Sequence, residues 1–193
     1  PQVSSRPIGL ASGLSGYHAF LRRPTYMKLA HLPLAERARE MSKPEVKAAI
    51  LAEDDAPVDR PGSMANTFRI FQMAAPFLYP LADPVDYEPQ PSDTLGARAA
   101  ASGEYILSVL YDYLVSQNGT AMCALMGGAD VHERMEVLRE MLVHSETVTG
   151  LSDAGAHVTL ICDATMPTTQ LTFWARDRRH GRSEEHTSEL QSH

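Results

Sequence analysis

The chain has 193 residues, 44% of them hydrophobic and 21% charged, an ordinary globular composition with enough material for a core. Its net charge of −7 comes without a basic stripe interleaved with aromatics, which argues against nucleic acid or an anionic membrane surface as a partner. No apolar run approaches the roughly 20 residues that a membrane span needs. The opening PQVSSRPIGL has no basic region leading into a hydrophobic stretch, so it does not read as a secretory signal. It also lacks an initiator Met and reads as a piece of something longer. The only cysteines, Cys123 and Cys162, belong to no CxxC or CxxH pattern; reduced, buried thiols in a cytoplasmic protein are expected.

Residues 1–16 carry Val3, Ile8 and Leu10 among Pro, Ser and Gly and read as a short strand and loop. From Leu34 the pattern turns helical, with Ala38 and Met41 on the same face and Glu36, Arg37, Arg39 and Glu40 largely opposite. Pro44 restarts a helix with Val46, Ile50 and Leu51 as its apolar face, because proline is well tolerated at a first helical position. Glu53-Asp54-Asp55 and Pro57 end it. Residues 56–92 are proline-rich and predict short strands or turns around Phe68, Ile70, Phe71, Phe77 and Leu78.

Ser92-Asp93 predicts the cap of a helix running to Gly103, and a second helix is predicted from Glu104 to Ser116. Ala121–Leu125 reads as a strand. Gly127-Gly128 is not a phosphate loop, since no GxxxxGK[ST] surrounds it. Asp130 and Glu133 look like a capping box for a helix whose core face is Met135, Leu138 and Leu142. Thr147-Val148-Thr149 is a β-branched run meeting the turn-forming Gly150–Gly155, the pattern of a buried strand that ends in a loop holding Asp153. Pro167 then opens an amphipathic helix through Leu171, Trp174 and Ala175 to Arg176, Arg178 and Arg179, bases that suit a helix C-terminus.

The last stretch, RSEEHTSELQSH at 182–193, follows no period and looks like a reading-frame translation of a common short-read sequencing adapter, which gives RSEEHTSELQS and the first base of a His codon. It reads as a non-native tail, so His186 and His193 are set aside as ligand candidates.

An Asp at a strand tip, with His157 four residues on, suits metal-assisted hydrolysis. A bound cation polarises a carbonyl and acidifies water, and a nearby carboxylate carries the proton from that water to the departing nitrogen. The same Ser-Asp-Ala-Gly is also ordinary turn chemistry, because Asp and Ser bond their own backbone and Gly accepts positive φ.

Residues 146–181, ETVTGLSDAGAHVTLICDATMPTTQLTFWARDRRHG, resemble the closing part of the metal-dependent amidohydrolase superfamily, and within it the N-acyl-D-amino-acid deacylases (D-aminoacylases). PQVSSRPIGLASGL, HLPLAERAREMSKPEVKAAIL, YEPQPSDTLGARAAASGE and VLREMLVHSETVTGLSDAGAH resemble the same family in the same order, so the similarity spans nearly all of residues 1–181. The resemblance implies an α/β fold: the C-terminal portion of a (β/α)8 barrel of TIM type, with a mostly helical insertion between its last two strands. Residues 1–16 would be a barrel strand and loop, 17–145 the insertion and barrel helices, and 146–181 the last strand, catalytic loop and following helix.

It further implies hydrolysis of the amide of an N-acyl-D-amino acid or similar small molecule. Asp153 would be the general base and acid and a candidate metal ligand, and His157 would line the site. Zinc is the implied metal. Its main ligands in the family, an HxH, a Cys and two further histidines, have no counterpart here, and Cys123 lies in the wrong region. Where some members carry a carboxylate-binding Arg shortly after the aspartate, this chain has Ala164 and Thr165, leaving Arg176 as the candidate for substrate binding, with Arg178 beyond it. The fragment alone is expected to be inactive. Two alternatives stay open: another amidohydrolase of cyclic-amidase or dihydroorotase type, and a non-enzymatic helical interaction domain in which Asp153 only shapes a turn.

Overall fold

A computed structural model describes residues 1–58, 60, 62–63, 66–127, 135–150, 152, 159–161 and 163–178. The architecture is mixed α/β with small sheets. The chain divides into two compact units, one made of Pro1–Gly9, Tyr87–Pro89 and Met126–His193, the other of Leu10–Asp86 and Gln90–Leu125. Among the described residues, no helix is long and apolar enough to cross a membrane.

The first unit is built on two very short strands, β1 (Gln2–Val3) and β5 (Val148–Thr149), which pair in parallel with Gln2 opposite Val148 and Val3 opposite Thr149. The strand at the start of the chain thus meets a strand where the β-branched run predicted one, but this strand is not buried as expected: Val148 is 65% exposed and Thr149 only partly covered. α7 (Glu136–Val143) presents Leu138 and Leu142 to Val3, Met135 and Trp174, forming the unit's apolar core with Tyr87 and Phe173 at its edge. Met135, Leu138 and Leu142 are the core face that the sequence predicted. The predicted start at Asp130 lies outside the described residues. Pro167 does open a helix, α8 (Met166–Thr169), but the regular amphipathic helix expected beyond it is replaced by a π-helical stretch, Gln170–Asp177. The Arg178 amide donates to the Phe173 carbonyl at 2.7 Å, and this wider turn sets Arg178 over Trp174.

Most residues of the three-stranded sheet belong to the second unit; its order is β2 (Ile8–Gly13), β4 (Met122–Gly127), β3 (Tyr79–Pro80), with β3 antiparallel to β4. Around it lie α1 (Pro24–Leu29), α2 (Leu34–Met41), α3 (Pro44–Ala52), α4 (Thr67–Ala74), α5 (Leu95–Ser102) and α6 (Ile106–Val115). The predicted helices at Leu34 and Pro44 are α2 and α3, and Ala38, Met41 and Ile50 are buried as their spacing required. α4 departs from the expectation of strands or turns. Pro61 and Pro76 bracket a proline-free interval in which Phe68, Phe71 and Ala74 recur on one buried face, and that is enough for two turns of helix.

α5 is capped by Thr94, whose hydroxyl accepts from the Ala97 amide at 3.1 Å, rather than by Ser92 or Asp93. Those two belong to a preceding 3-10 turn in which the Asp93 carboxylate accepts from the Gln90 amide.

Polar groups inside this unit are tied to backbone. Arg37 donates to the carbonyls of Leu14 and Leu32 and, at 2.7 Å, to the Tyr26 hydroxyl. The Tyr111 hydroxyl donates to the Met41 carbonyl. Cys123 is free and buried, its thiol facing the Ser12 carbonyl, and burial pushes it up to about 12. His18 is fully buried, accepts from the Phe20 amide through Nδ1, and meets Tyr26 edge-on.

Two predictions follow from this packing. A Cβ on Gly96 would sit 2.4 Å from the Pro76 carbonyl oxygen and 2.9 Å from its Cα, so α5 has no room for a side chain there. Gly96→Ala is expected to lower stability by about 1–3 kcal/mol despite alanine's better helix propensity, measured by urea unfolding. Burial, and then the charge of Arg37, lowers His18 from its ordinary value of 6.5 to about 3. The folded chain therefore holds His18 neutral where the unfolded chain binds a proton. Its contribution is intact above the unfolded value and is lost as pH falls from there toward 3. His18→Asn, which keeps an acceptor for the Phe20 amide, is expected to flatten the pH dependence of unfolding free energy across that window.

Candidate functional site

Polar residues concentrate where β1 ends. Ser4, Ser5 and Arg6 follow directly after Val3 and are all buried. In a parallel sheet, the C-terminal ends of the strands are where loops from successive units converge. Arg6 Nη1 donates to Asp163 Oδ1 at 2.7 Å and to the Pro7 carbonyl at 3.2 Å, while Nη2 reaches Thr165 Oγ1 at 3.2 Å. Its guanidinium also lies over the Tyr87 ring, 4.8 Å from the centroid. The Arg6 and Asp163 side chains are only 6% and 3% exposed, so this is a desolvated ion pair. The other oxygen, Asp163 Oδ2, is equally sealed from solvent and has no hydrogen-bond partner among the described residues.

Further bonds tie the same two segments. The Ser5 hydroxyl donates to the Met166 carbonyl and the Trp174 indole donates to the Ser5 carbonyl, while within the returning segment the Met166 amide closes a turn on the Asp163 carbonyl. The tip of β1 is thereby fastened to the chain that returns after β5.

A second arginine closes the other end of this returning chain. Arg178 is buried over Trp174, 4.6 Å from the ring centroid, and its Nη2 donates to Glu88 at 2.9 Å and Glu136 at 2.8 Å. Burial pushes the Glu136 carboxyl up, but hydrogen bonds and charge from Arg139 and Arg178 outweigh it and hold it below the ordinary carboxylate value. The dipole-complementing role expected for this arginine gives way to ion pairs between a buried guanidinium and two partly exposed carboxylates.

Of the predicted site residues, Asp153 and His157 lie outside the described residues. Arg176 is described: its side chain is 70% exposed and forms a two-point pair with the adjacent Asp177, at 2.6 and 2.9 Å. That neighbouring carboxylate raises the Arg176 pKa, first through the hydrogen bonds and then through its charge. No group of three or more His, Cys, Asp or Glu able to hold a metal is found among the described residues. Cys123 is buried in the other unit against a backbone carbonyl.

Sequence reasoning passed over Arg6 and Asp163. The one available signal was an acid closing the apolar run Val158–Cys162, together with a lone arginine just beyond a strand.

Breaking a buried pair by removing one partner strands the other charge, which typically costs about 3–5 kcal/mol. Arg6→Met is expected to lose about that much in urea unfolding. The double variant Arg6→Met/Asp163→Leu should recover most of it, because neither charge is then left alone. Comparison of the chain with known protein families, curated proteins and solved structures finds no match.

Proposed function

We infer that this chain is the C-terminal part of an amidohydrolase-type barrel whose parent polypeptide hydrolyses the amide of an N-acyl-D-amino acid or a related small amide. The observation that carries the reading is the parallel pairing of β1 with β5 in the register Gln2–Val148 and Val3–Thr149. Parallel neighbours joined by a long, mostly helical crossover are what the last two strands of such a barrel require. Asp153 follows the end of β5 in sequence, in the segment whose resemblance to the amidohydrolases is most specific.

In this reading Asp153 takes a proton from the attacking water as the new carbon–oxygen bond forms. It then delivers that proton to the nitrogen as the carbon–nitrogen bond breaks, giving a carboxylic acid and an amine. His157 lines the site, and Arg176 is the candidate for the substrate carboxylate. The zinc implied by the resemblance finds no donor set among the described residues. By the resemblance, its donors belong to barrel strands that this sequence does not include.

The test is hydrolysis of N-acetyl-D-amino acids by the longer polypeptide, set beside dihydroorotate and a hydantoin as cyclic amides. Preferential turnover of the acyl amino acids is expected, with Asp153→Asn lowering kcat about 100-fold or more. Preferential turnover of a cyclic amide moves the assignment to the other amidohydrolase class. Full activity of Asp153→Asn removes its proton-transfer role. The 193-residue chain alone, with added zinc, is expected to be inactive, and turnover by it would overturn the reading as a part.

A further inference from the structure

α2, the end of α6 and the turn at residues 117–119 line a groove of about 590 Å³, within the size range of small-molecule sites. The turn is pressed onto the helix. A Cβ on Gly119 would sit 3.0 Å from the Ala38 Cβ and 3.3 Å from Leu34 Cδ1, so a side chain there would hold the two apart. Keeping the turn in place puts three successive residues at positive φ: Gln117 at 53°, Asn118 at 57° and Gly119 at 83°. Glycine and asparagine accept that conformation readily, whereas glutamine adopts it at a cost. Backbone strain of this kind gathers at ligand clamps, and here it lies at the groove's edge.

The groove's apolar lining comes from short side chains, Ala38, Val115 and Pro33, which leaves its volume open. Its polar lining is a pair of opposite charges one helical turn apart, Glu36 and Arg39, with the Asn118 carboxamide across from them. Arg39 Nη2 and Glu36 Oε1 are 3.7 Å apart, too far for a hydrogen bond, and the side chains are 71% and 47% exposed. A solvated pair this loose contributes little and gives way to a better partner. A lone anion would meet the repulsion of Glu36, and a lone cation that of Arg39. A ligand with both charges on one carbon satisfies both: the guanidinium fork donates to its carboxylate, and Glu36 accepts from its ammonium. The Asn118 carboxamide, donor and acceptor at once, serves either group. We propose that this groove binds a free α-amino acid with a large apolar side chain, its head group between Glu36 and Arg39 and its side chain along Ala38 and Val115. The site lies wholly in the second unit and does not depend on the hydrolase reading.

The experiment titrates the 193-residue chain with phenylalanine, hydrocinnamate and phenethylamine and follows the backbone amide chemical shifts. Phenylalanine is expected to give saturable shifts centred on α2 and residues 115–119, with a Kd of about 1 mM or tighter. Hydrocinnamate lacks the ammonium and phenethylamine lacks the carboxylate, so each should bind about 10-fold more weakly or worse. Arg39→Gln and Glu36→Gln change exposed side chains, and each should weaken phenylalanine about 5-fold or more on samples whose circular dichroism matches the unsubstituted chain. Ala35→Trp, at an exposed position on the groove wall, fills the space and should abolish binding. Absence of saturable shifts up to about 20 mM phenylalanine would overturn the proposal. So would equal binding of the single-charge analogues, shifts centred elsewhere on the chain, or binding untouched by the three substitutions.

Discussion

A buried guanidinium opposite a buried carboxylate is the constraint on which the first unit depends. Neither Arg6 nor Asp163 can return to water without opening the structure around it, and each is costly to bury unless the other is present. The pair joins segments at opposite ends of the chain, and so do the neighbouring bonds from Ser5 and Trp174. Among the described residues, β1 and β5 contribute two residues each to their pairing, far too little ladder to hold themselves. Ionic and indole bonds, with the small cluster around Val3 and Trp174, supply what the ladder does not.

The other unit is stabilised differently. Its interior is aromatic and aliphatic, with Phe20, Tyr26, Phe68, Phe71 and Tyr111 fully buried and the Phe20 and Tyr111 rings meeting edge-on. Its polar groups, Arg37, Tyr111 and His18, mostly tie backbone to backbone across turns and helix ends. Packing carries this unit, and among its described residues the Arg23–Asp55 pair, at 12% and 22% exposure, is less deeply buried than Arg6–Asp163.

How much of this was legible in the sequence depends on the range over which each signal acts. α2, α3 and α6 were readable because apolar spacing and a proline at a first helical position act within a few residues. α4 was missed because a high overall proline count hid a proline-free interval long enough for a helix. The cap of α5 was placed too early because Ser92-Asp93 forms its own tight turn just ahead of Thr94. The π-helical stretch had no sequence signature, since apolar residues at helical spacing suit a wider turn as well. The fastening of Arg6 to Asp163 was beyond any local rule: 157 positions separate the two residues, and only the fold brings them together. Arg176, by contrast, drew notice for its position after the aspartate, and the structure shows it on the surface with Asp177.

The same long separations govern how the first unit comes into being. Its strand pairing, its buried ion pair and its indole bond all join the first six residues to chain beyond residue 147. During synthesis, Gln2–Arg6 leave the ribosome well before Val148–Thr149, Asp163 and Trp174 and wait for those partners while the intervening chain is made. Closing so long a loop adds little entropy cost over a medium one, about 0.6 kcal/mol for each doubling, but it leaves the segment exposed for longer. β1 thus emerges well before the partners that fix it. The hydrophilic run Ser4-Ser5-Arg6 beside Val3 keeps it from being a sticky edge in the meantime.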